Sequence, residues 1–272
     1  MISKVFQLVH IVFVMSAKVL VAGPTYDGMR YCHDKFIDRL RNLSYDNYDI
    51  LLVDNSDDKG FFKELEKESG FDVIHLSLKD VPKMKRLVRS RNRILSYALE
   101  NGYDYVLMMD VDVIPPVDIV ERLLAHGKDI VSGIYFNVFM VDREKKICPV
   151  VWKGFSDEEF EEIRSQVSSE HVACKEDLRR HLTPEEANSG KLQEVIIPSC
   201  GCMLLSREAF GKLRYGILDV PDGFGTSDDI YFCRKAREAG FGLYCDTSLQ
   251  CEHLVSGKFN REGDELIHPI HG

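Results

Sequence analysis

The sequence predicts an α/β protein built on a Rossmann-like, mostly parallel sheet with helices on both faces. Three observations predict it. The runs "KVLVAG" (18–23), "ILLVD" (50–54) and "YVLMM" (105–109) are continuously apolar, as strands buried on both faces must be. Amphipathic segments of helical period separate them. Each run ends in a polar cluster, Pro24-Thr25-Tyr26, Asp54-Asn55 and Asp110-Val111-Asp112. Ligands of parallel sheets collect at the carboxyl ends of strands, so these clusters are expected to converge on one crevice.

The elements follow in order. After "KVLVAG", "PTYDG" reads as a turn, and Met29, Cys32, Phe36, Ile37 and Leu40 mark the apolar face of a helix. "YDILLVDNSDD" is a strand and an acidic turn, Phe61 to Glu68 a charged helix, and "DVIHL" a short strand. "KRLVRSRNRILSYALENG" is a helix with a glycine stop, leading into "YVLMMDVDVIPP". Then come a helix ("VDIVERLLAHG") and an apolar strand ("DIVSGIYF"). Residues 156–190 are dense in charge and read as surface helices and loops inserted within one domain. The core resumes with "LQEVIIPSCGCMLLSREAF", the capped helix "GTSDDIYFCRKAREAGF" and "GLYCDTSLQCEHL".

A chain of 272 residues, 44% hydrophobic, can bury a sizeable core. Its net charge of -9 argues against binding nucleic acid by phosphate neutralisation, so any phosphate recognised is a small molecule's. Eight cysteines lie scattered without a CxxC pair and are expected to be reduced, mostly buried and cytoplasmic. Residues 1–14 read either as a mis-assigned start, with Met15 the initiator, or as a short hydrophobic leader; the apolar stretch is too short to span a bilayer. The domain is expected over 15–272, in two halves at 18–135 and 136–272.

Four constellations carry chemistry. In an extended segment residues i and i+2 share a side, so Asp110 and Asp112 can present two carboxylates to Mg²⁺ or Mn²⁺ and a substrate diphosphate. The plainer account is that they solvate a loop. Asp228 and Asp229 open a helix, where Thr226 and Asp229 have capping-box spacing; one acid facing the crevice would instead be a general base. His253 is a lone histidine whose nitrogen, added to carboxylates, favours Mn²⁺; His268 and His271 are alternative tail residues. The basic run 83–93 is either a solvated helix face or, through Arg89 and Arg91 beside Asn92, a phosphate clamp.

Together these segments resemble the metal-dependent glycosyltransferases of the GT-A (nucleotide-diphospho-sugar transferase) fold, most nearly glycosyltransferase family 2. "KVLVAGPTYDG" is similar to that family's first strand and nucleotide-binding turn, "ILLVDNSDD" to its second strand, and "RSRNRILSYALENG" to its Ala-Arg-Asn helix. "YVLMMDVDVIPP" is similar to its DxD strand, "SCGCMLLSREAF" to its acceptor-side strand, and "SDDIYFCRKAREAGF" to its Glu-Asp motif, with Asp228 in place of the glutamate. "VDNSDD" lacks the common Asp-Gly-Ser turn.

The resemblance implies that Pro24, Thr25, Tyr26 and Asp54 contact the nucleotide and that Asp110 and Asp112 bind the metal diphosphate. It puts Asp229 at the catalytic base and His253 at the histidine that often completes the metal site. The implied activity is transfer of a sugar from a UDP- or GDP-linked donor to a hydroxyl of a carbohydrate, lipid-linked or small-molecule acceptor, with inversion. Peripheral membrane association fits a lipid-linked acceptor. Two other readings remain: a sugar-nucleotide-binding protein without turnover, and a haloacid-dehalogenase-type phosphatase using the same four aspartates.

Overall fold

The computed structural model describes residues 16–141, 143–166, 178–218, 227–256 and 267–270. The expected leader, Thr226 and His271 lie outside these residues. The first half runs β1 (Val19–Thr25), α1 (Arg30–Arg41), β2 (Tyr48–Asp54), α2 (Gly60–Ser69), β3 (Asp72–His75), α3 (Lys83–Glu100), β4 (Tyr105–Met109), β5 (Val113–Ile114), α4 (Ile119–Ala125) and β6 (Ile130–Ile134). The hairpin β7 (Phe136–Val141) and β8 (Glu144–Pro149) follows.

β9 (Trp152–Lys153) leads into the charged insertion, which holds α5 (Asp157–Gln166), β10 (Arg180–His181) and α6 (Pro184–Ala187). Thr183 and Glu186 close a capping box at the start of α6, and Glu186 also pairs with Arg180 at 2.7 Å. That pairing, foremost its hydrogen bond to Arg180, holds the Glu186 carboxyl down at about 2. The chain continues through β11 (Leu192–Glu194), β12 (Cys202–Ser206), α7 (Arg207–Lys212), α8 (Asp228–Glu238), β13 (Tyr244–Gln250), β14 (Glu252–Ser256) and β15 (Ile267–Ile270).

Eight strands form the central sheet in the order β11-β13-β6-β12-β4-β1-β2-β3. As the apolar runs require, β3, β2, β1 and β4 run parallel to one another. The strand β12 enters antiparallel between β4 and β6. Side-chain alternation splits the core in two. Leu20 and Ala22 face one layer, with Ile94, Leu95 and Ala98 of α3 and Phe232 of α8. Val19 and Val21 face the other, with Phe36 and Leu40 of α1 and Leu123 of α4. Each such side chain taken from water stabilises the fold by roughly 1.5–3 kcal/mol before chain entropy is counted. No helix among the described residues is long and apolar enough to cross a membrane.

This topology positions the candidate site. Both β1 and β2 end at the same edge as β4, in register from Val19 to Thr25 against Tyr48 to Asp54. The antiparallel β12 begins at that edge, so the residues just before it, Cys200 and Gly201, lie beside Asp110.

Candidate active site

A crevice of about 360 Å³ opens at this edge. Pro24, Thr25 and Tyr26 line it from β1, Asn55 from the end of β2, and Asp110, Val111 and Asp112 from the turn after β4. Lys83, Met84, Arg86 and Leu87 of α3 close the far wall. The three strand-end clusters therefore meet, as the parallel topology predicted.

Their roles divide more finely than the sequence indicated. Thr25 is buried, and its hydroxyl lies 2.7 Å from Nε2 of His33. Burial lowers the His33 pKa to about 4, so the ring is neutral. It stands edge-on to Phe61, with centroids 5.0 Å apart. Asp54, expected to contact the nucleotide, is fully enclosed. One of its oxygens accepts from the Ser56 amide and hydroxyl at 3.1 and 2.5 Å, and the other meets His75 Nδ1 at 2.6 Å. With both oxygens engaged, Asp54 braces the turn, and its neighbour Asn55 faces the crevice.

The basic run is reassigned in the same way. Arg89 is exposed and absent from the crevice wall. Arg86 lines it, but its guanidinium is tied to the Val81 carbonyl at 2.7 Å and to Asp57 at 2.5 Å. Asn92 exchanges two hydrogen bonds of 2.9 Å with the backbone of Tyr215, clamping α3 to the segment after α7.

Arg91 is the pivot of the site rather than a phosphate clamp. Its side chain is 2% exposed, and it reaches Asp110 at 2.8 Å, Asp228 at 2.8 Å and Asp229 at 2.5 Å. Burial opposes its charge, but the three carboxylates outweigh burial and hold its pKa well above the ordinary value. The guanidinium also lies 5.2 Å from the Tyr215 ring, which stacks on Phe232. One arginine thus joins the turn after β4 to the start of α8.

The two acids on α8 differ in access. The helix is capped by Ser227, whose hydroxyl accepts from the Ile230 amide at 3.4 Å, in place of the expected Thr226 capping box. Asp228 is 3% exposed and Asp229 is 32% exposed. Burial raises the Asp228 pKa to about 6; Arg91 opposes the rise, and Asp229 and Asp110 add to it. Of the two, Asp229 is the acid with solvent access.

The Asp110–Asp112 segment is a turn, not an extended strand end: the Val113 amide donates to the Asp110 carbonyl at 3.0 Å. The period-two argument for paired carboxylates therefore does not apply, and the two acids have different partners. Asp110 turns to Arg91. Asp112 turns to His253, whose Nε2 is 3.6 Å from its carboxylate. The pairing of β14 with β5 brings these two together, with His253 opposite Val113 and the Leu254 amide donating to the Asp112 carbonyl at 2.7 Å. His253 Nδ1 donates to the Phe136 carbonyl at 2.8 Å, which fixes the ring and leaves Nε2 facing Asp112. Burial works against its charge, but Asp112 prevails and the His253 pKa is raised.

Among the described residues no three His, Cys, Asp or Glu side chains converge closely enough to hold one metal ion. The donor types nevertheless suit a divalent cation: Asp112 and His253 are adjacent, and one oxygen of Asp110 remains outside its ion pair with Arg91.

Sequence reasoning missed Gly201 and Tyr135. A Cβ on Gly201 would lie 2.8 Å from both an Asp110 oxygen and the Tyr135 hydroxyl, so a larger residue there would have to displace one or both. The signal was a glycine flanked by cysteines ahead of an apolar strand. Tyr135 receives a hydrogen bond from the Gly201 amide at 3.3 Å and packs edge-on to His253; burial drives its phenol pKa well up.

Comparison with known proteins identifies the fold and the family. GalNAc-T7, solved with UDP, GalNAc and Mn²⁺, superimposes with a TM-score of 0.56 at 13% identity, covering 87% of this chain and 44% of that one. S. aureus TarS gives 0.51 at 14% identity, covering 88% of this chain and 37% of that one. The chain thus spans less than half the length of either structure, and the likeness is one of fold. A search of curated proteins finds no significant sequence match. The profile described as glycosyl transferase family 2 matches residues 33–214, more than half the chain, which removes the phosphatase alternative. With a GT-A sheet, and with that profile running from α1 past β12, the chain belongs to glycosyl transferase family 2.

Proposed function

We propose that this protein is a metal-dependent glycosyltransferase that moves a sugar from a nucleoside-diphosphate donor to an acceptor hydroxyl with inversion. The observation that carries the reading is the Arg91 network. It links Asp110, on the crevice wall, to Asp229, the accessible acid of α8. A leaving group and a base are needed on opposite sides of the transferred sugar, and the network supports this reading by tying an acid of the crevice wall to an accessible acid outside it.

Family membership supports the reaction class, and the UDP and Mn²⁺ bound to GalNAc-T7 support the donor and the cofactor. The adjacent Asp112 and His253, with Asp110 beyond them, are the donors that would hold Mn²⁺ or Mg²⁺ together with the donor's phosphates, and the ion would supply positive charge to a departing diphosphate. Pro24, Thr25 and Tyr26 form the nucleotide side of the crevice, and exposed Lys83 adds a cation to its wall. Asp229 takes the proton from the attacking hydroxyl. Asp228 holds Arg91 from below and does not itself reach substrate. Seven described cysteines are free thiols, which supports a reducing compartment such as the cytoplasm. A lipid-linked acceptor would bring peripheral membrane contact; a carbohydrate or small-molecule acceptor would not.

Purified protein with Mn²⁺ is expected to hydrolyse a UDP- or GDP-sugar slowly in the absence of acceptor, and Asp112→Ala to abolish this. Failure of every sugar nucleotide to bind in calorimetry with metal present would refute the reading. Binding without turnover across an acceptor panel would favour a sugar-nucleotide-binding protein instead.

A further inference from the structure

We propose that Tyr135 is the positioning residue that holds the two sides of the catalytic site in relation: its ring sets the orientation of His253, and its hydroxyl sets the turn that carries Asp110. The inference rests on the metal-dependent transfer reading and deepens it.

Tyr135 is buried at the junction of β6 and β7, where its carbonyl accepts from the Val150 amide at 2.9 Å. Its ring stands edge-on to the His253 imidazole, with centroids 5.1 Å apart and planes at 64°. The next carbonyl along the chain, that of Phe136, takes the His253 Nδ1 proton at 2.8 Å. One hydrogen bond still lets an imidazole swing about that contact. A ring packed against it removes the swing, so Nε2 stays toward Asp112.

The hydroxyl acts on the other side. Gly201 is buried, and its amide N–H donates to the Tyr135 oxygen at 3.3 Å, with no other acceptor for it among the described residues. The Gly201 carbonyl in turn accepts from the Asp110 amide at 2.9 Å. A buried amide is costly to leave unpaired, so the phenol oxygen fixes this turn, and the turn fixes Asp110 relative to Arg91. The fit is close, because a Cβ on Gly201 would fall 2.8 Å from the phenol oxygen and 2.8 Å from an Asp110 oxygen. The phenol's own proton has no acceptor among the described residues, so within the fold the oxygen acts as an acceptor. The nucleotide side of the crevice, Pro24 to Tyr26 with Asn55, comes from β1 and the end of β2, and Tyr135 lies outside that wall.

The test uses the full chain in three variants, each assayed for Mn²⁺ binding by calorimetry in the presence of UDP and for donor hydrolysis with kcat and KM separated. Tyr135→Phe keeps the ring and strips the hydroxyl. Its Mn²⁺ affinity should stay within about twofold of wild type, its kcat should fall about tenfold, the worth of one hydrogen bond, and its donor KM should hardly move. Tyr135→Leu removes the ring as well and should weaken Mn²⁺ binding about tenfold, as the loss of a group that orients a metal ligand does. Tyr45→Phe is the control. It removes a buried phenol's 2.7 Å hydrogen bond to the Ala17 carbonyl, ahead of β1 and so at the end of the sheet away from the crevice. It should cost stability yet leave kcat and Mn²⁺ affinity at wild-type values. An unchanged kcat in Tyr135→Phe, or an unchanged Mn²⁺ affinity in Tyr135→Leu, would overturn the inference. Equal losses of kcat in Tyr135→Phe and Tyr45→Phe would overturn it too, since the effect would then be one of stability alone. A wild type that neither binds Mn²⁺ nor hydrolyses any sugar nucleotide refutes the transfer reading, and this inference falls with it.

Discussion

Two residues show how little of the site's electrostatics sequence spacing can convey. Asp228 and Asp229 are adjacent and chemically identical, yet one is sealed beneath Arg91 and the other open to solvent. Their difference arises from packing against α3 and could not be read from "SDDIYF". Asp228 also makes stability depend on pH. Its folded pKa of about 6 lies above the ordinary carboxylate value of 3.8, so the fold favours the protonated form. That contribution is fully present below about pH 3.8 and is lost as pH rises through about 6. His33, with its pKa near 4, acts with the opposite sign: its contribution is present above the ordinary histidine value of 6.5 and is lost as pH falls through 4. The two partly cancel in wild type, so the difference against a variant is the informative quantity. Asp228→Asn should remove the Asp228 component, so that its stability relative to wild type rises between pH 4 and pH 6. Denaturant titrations at several pH values measure this, and a pH-independent difference would contradict it.

At the scale of elements, strands and helices were largely evident in the sequence, and their junctions were not. The helix α3 was visible from its apolar period, with Ile94, Leu95 and Ala98 inward. What it does at its polar positions was not visible. Arg89 was a plausible phosphate ligand by type, but the helix turns it to solvent and turns Arg91 inward. The start of α8 is a second case. Thr226 and Asp229 have capping-box spacing, yet the helix begins one residue later and Ser227 supplies the cap. Ser227→Ala should cost about 1 kcal/mol of stability, the usual value of a lost N-cap. Because this cap holds the turn bearing both acids, catalytic turnover should fall more than donor binding. Thermal unfolding alongside steady-state kinetics separates the two. Equal losses in turnover and donor affinity would show that the cap has no bearing on Asp229. The hairpin of β7 and β8 went unread because "YFNVFMV" and "EKKICP" lack a period that separates them from the preceding core strand.

At the scale of the whole molecule, the parallel strands and the crevice at their ends followed from hydrophobic pattern alone, since burial on both faces admits few architectures. The antiparallel entry of β12 did not, because a strand buried on both faces reads the same in either direction. That reversal returns the chain to the ligand edge and sets Gly201 against Asp110. The long-range pairing of β14 with β5 was equally hidden. It places a histidine 141 positions downstream beside Asp112.

Arg91 carries a consequence for the order of events in a catalytic cycle. Its single positive charge is shared among three acids on two distant segments, so the cluster retains two uncompensated negative charges. On the proposed reading, a cation arriving with the donor would draw charge from the Asp110 carboxylate through its other oxygen and so weaken its pairing with Arg91. Whatever grip Arg91 yields there it can redistribute to Asp228 and Asp229, re-aiming the far carboxylate before an acceptor is present. Donor loading should therefore sharpen acceptor affinity, an obligatory sequence with the nucleotide sugar first. Inhibition by nucleoside diphosphate that is competitive against the donor but mixed against the acceptor, together with acceptor binding at least about fivefold tighter once nucleotide and metal are in place, would display this coupling. Random-order kinetics would dispose of it.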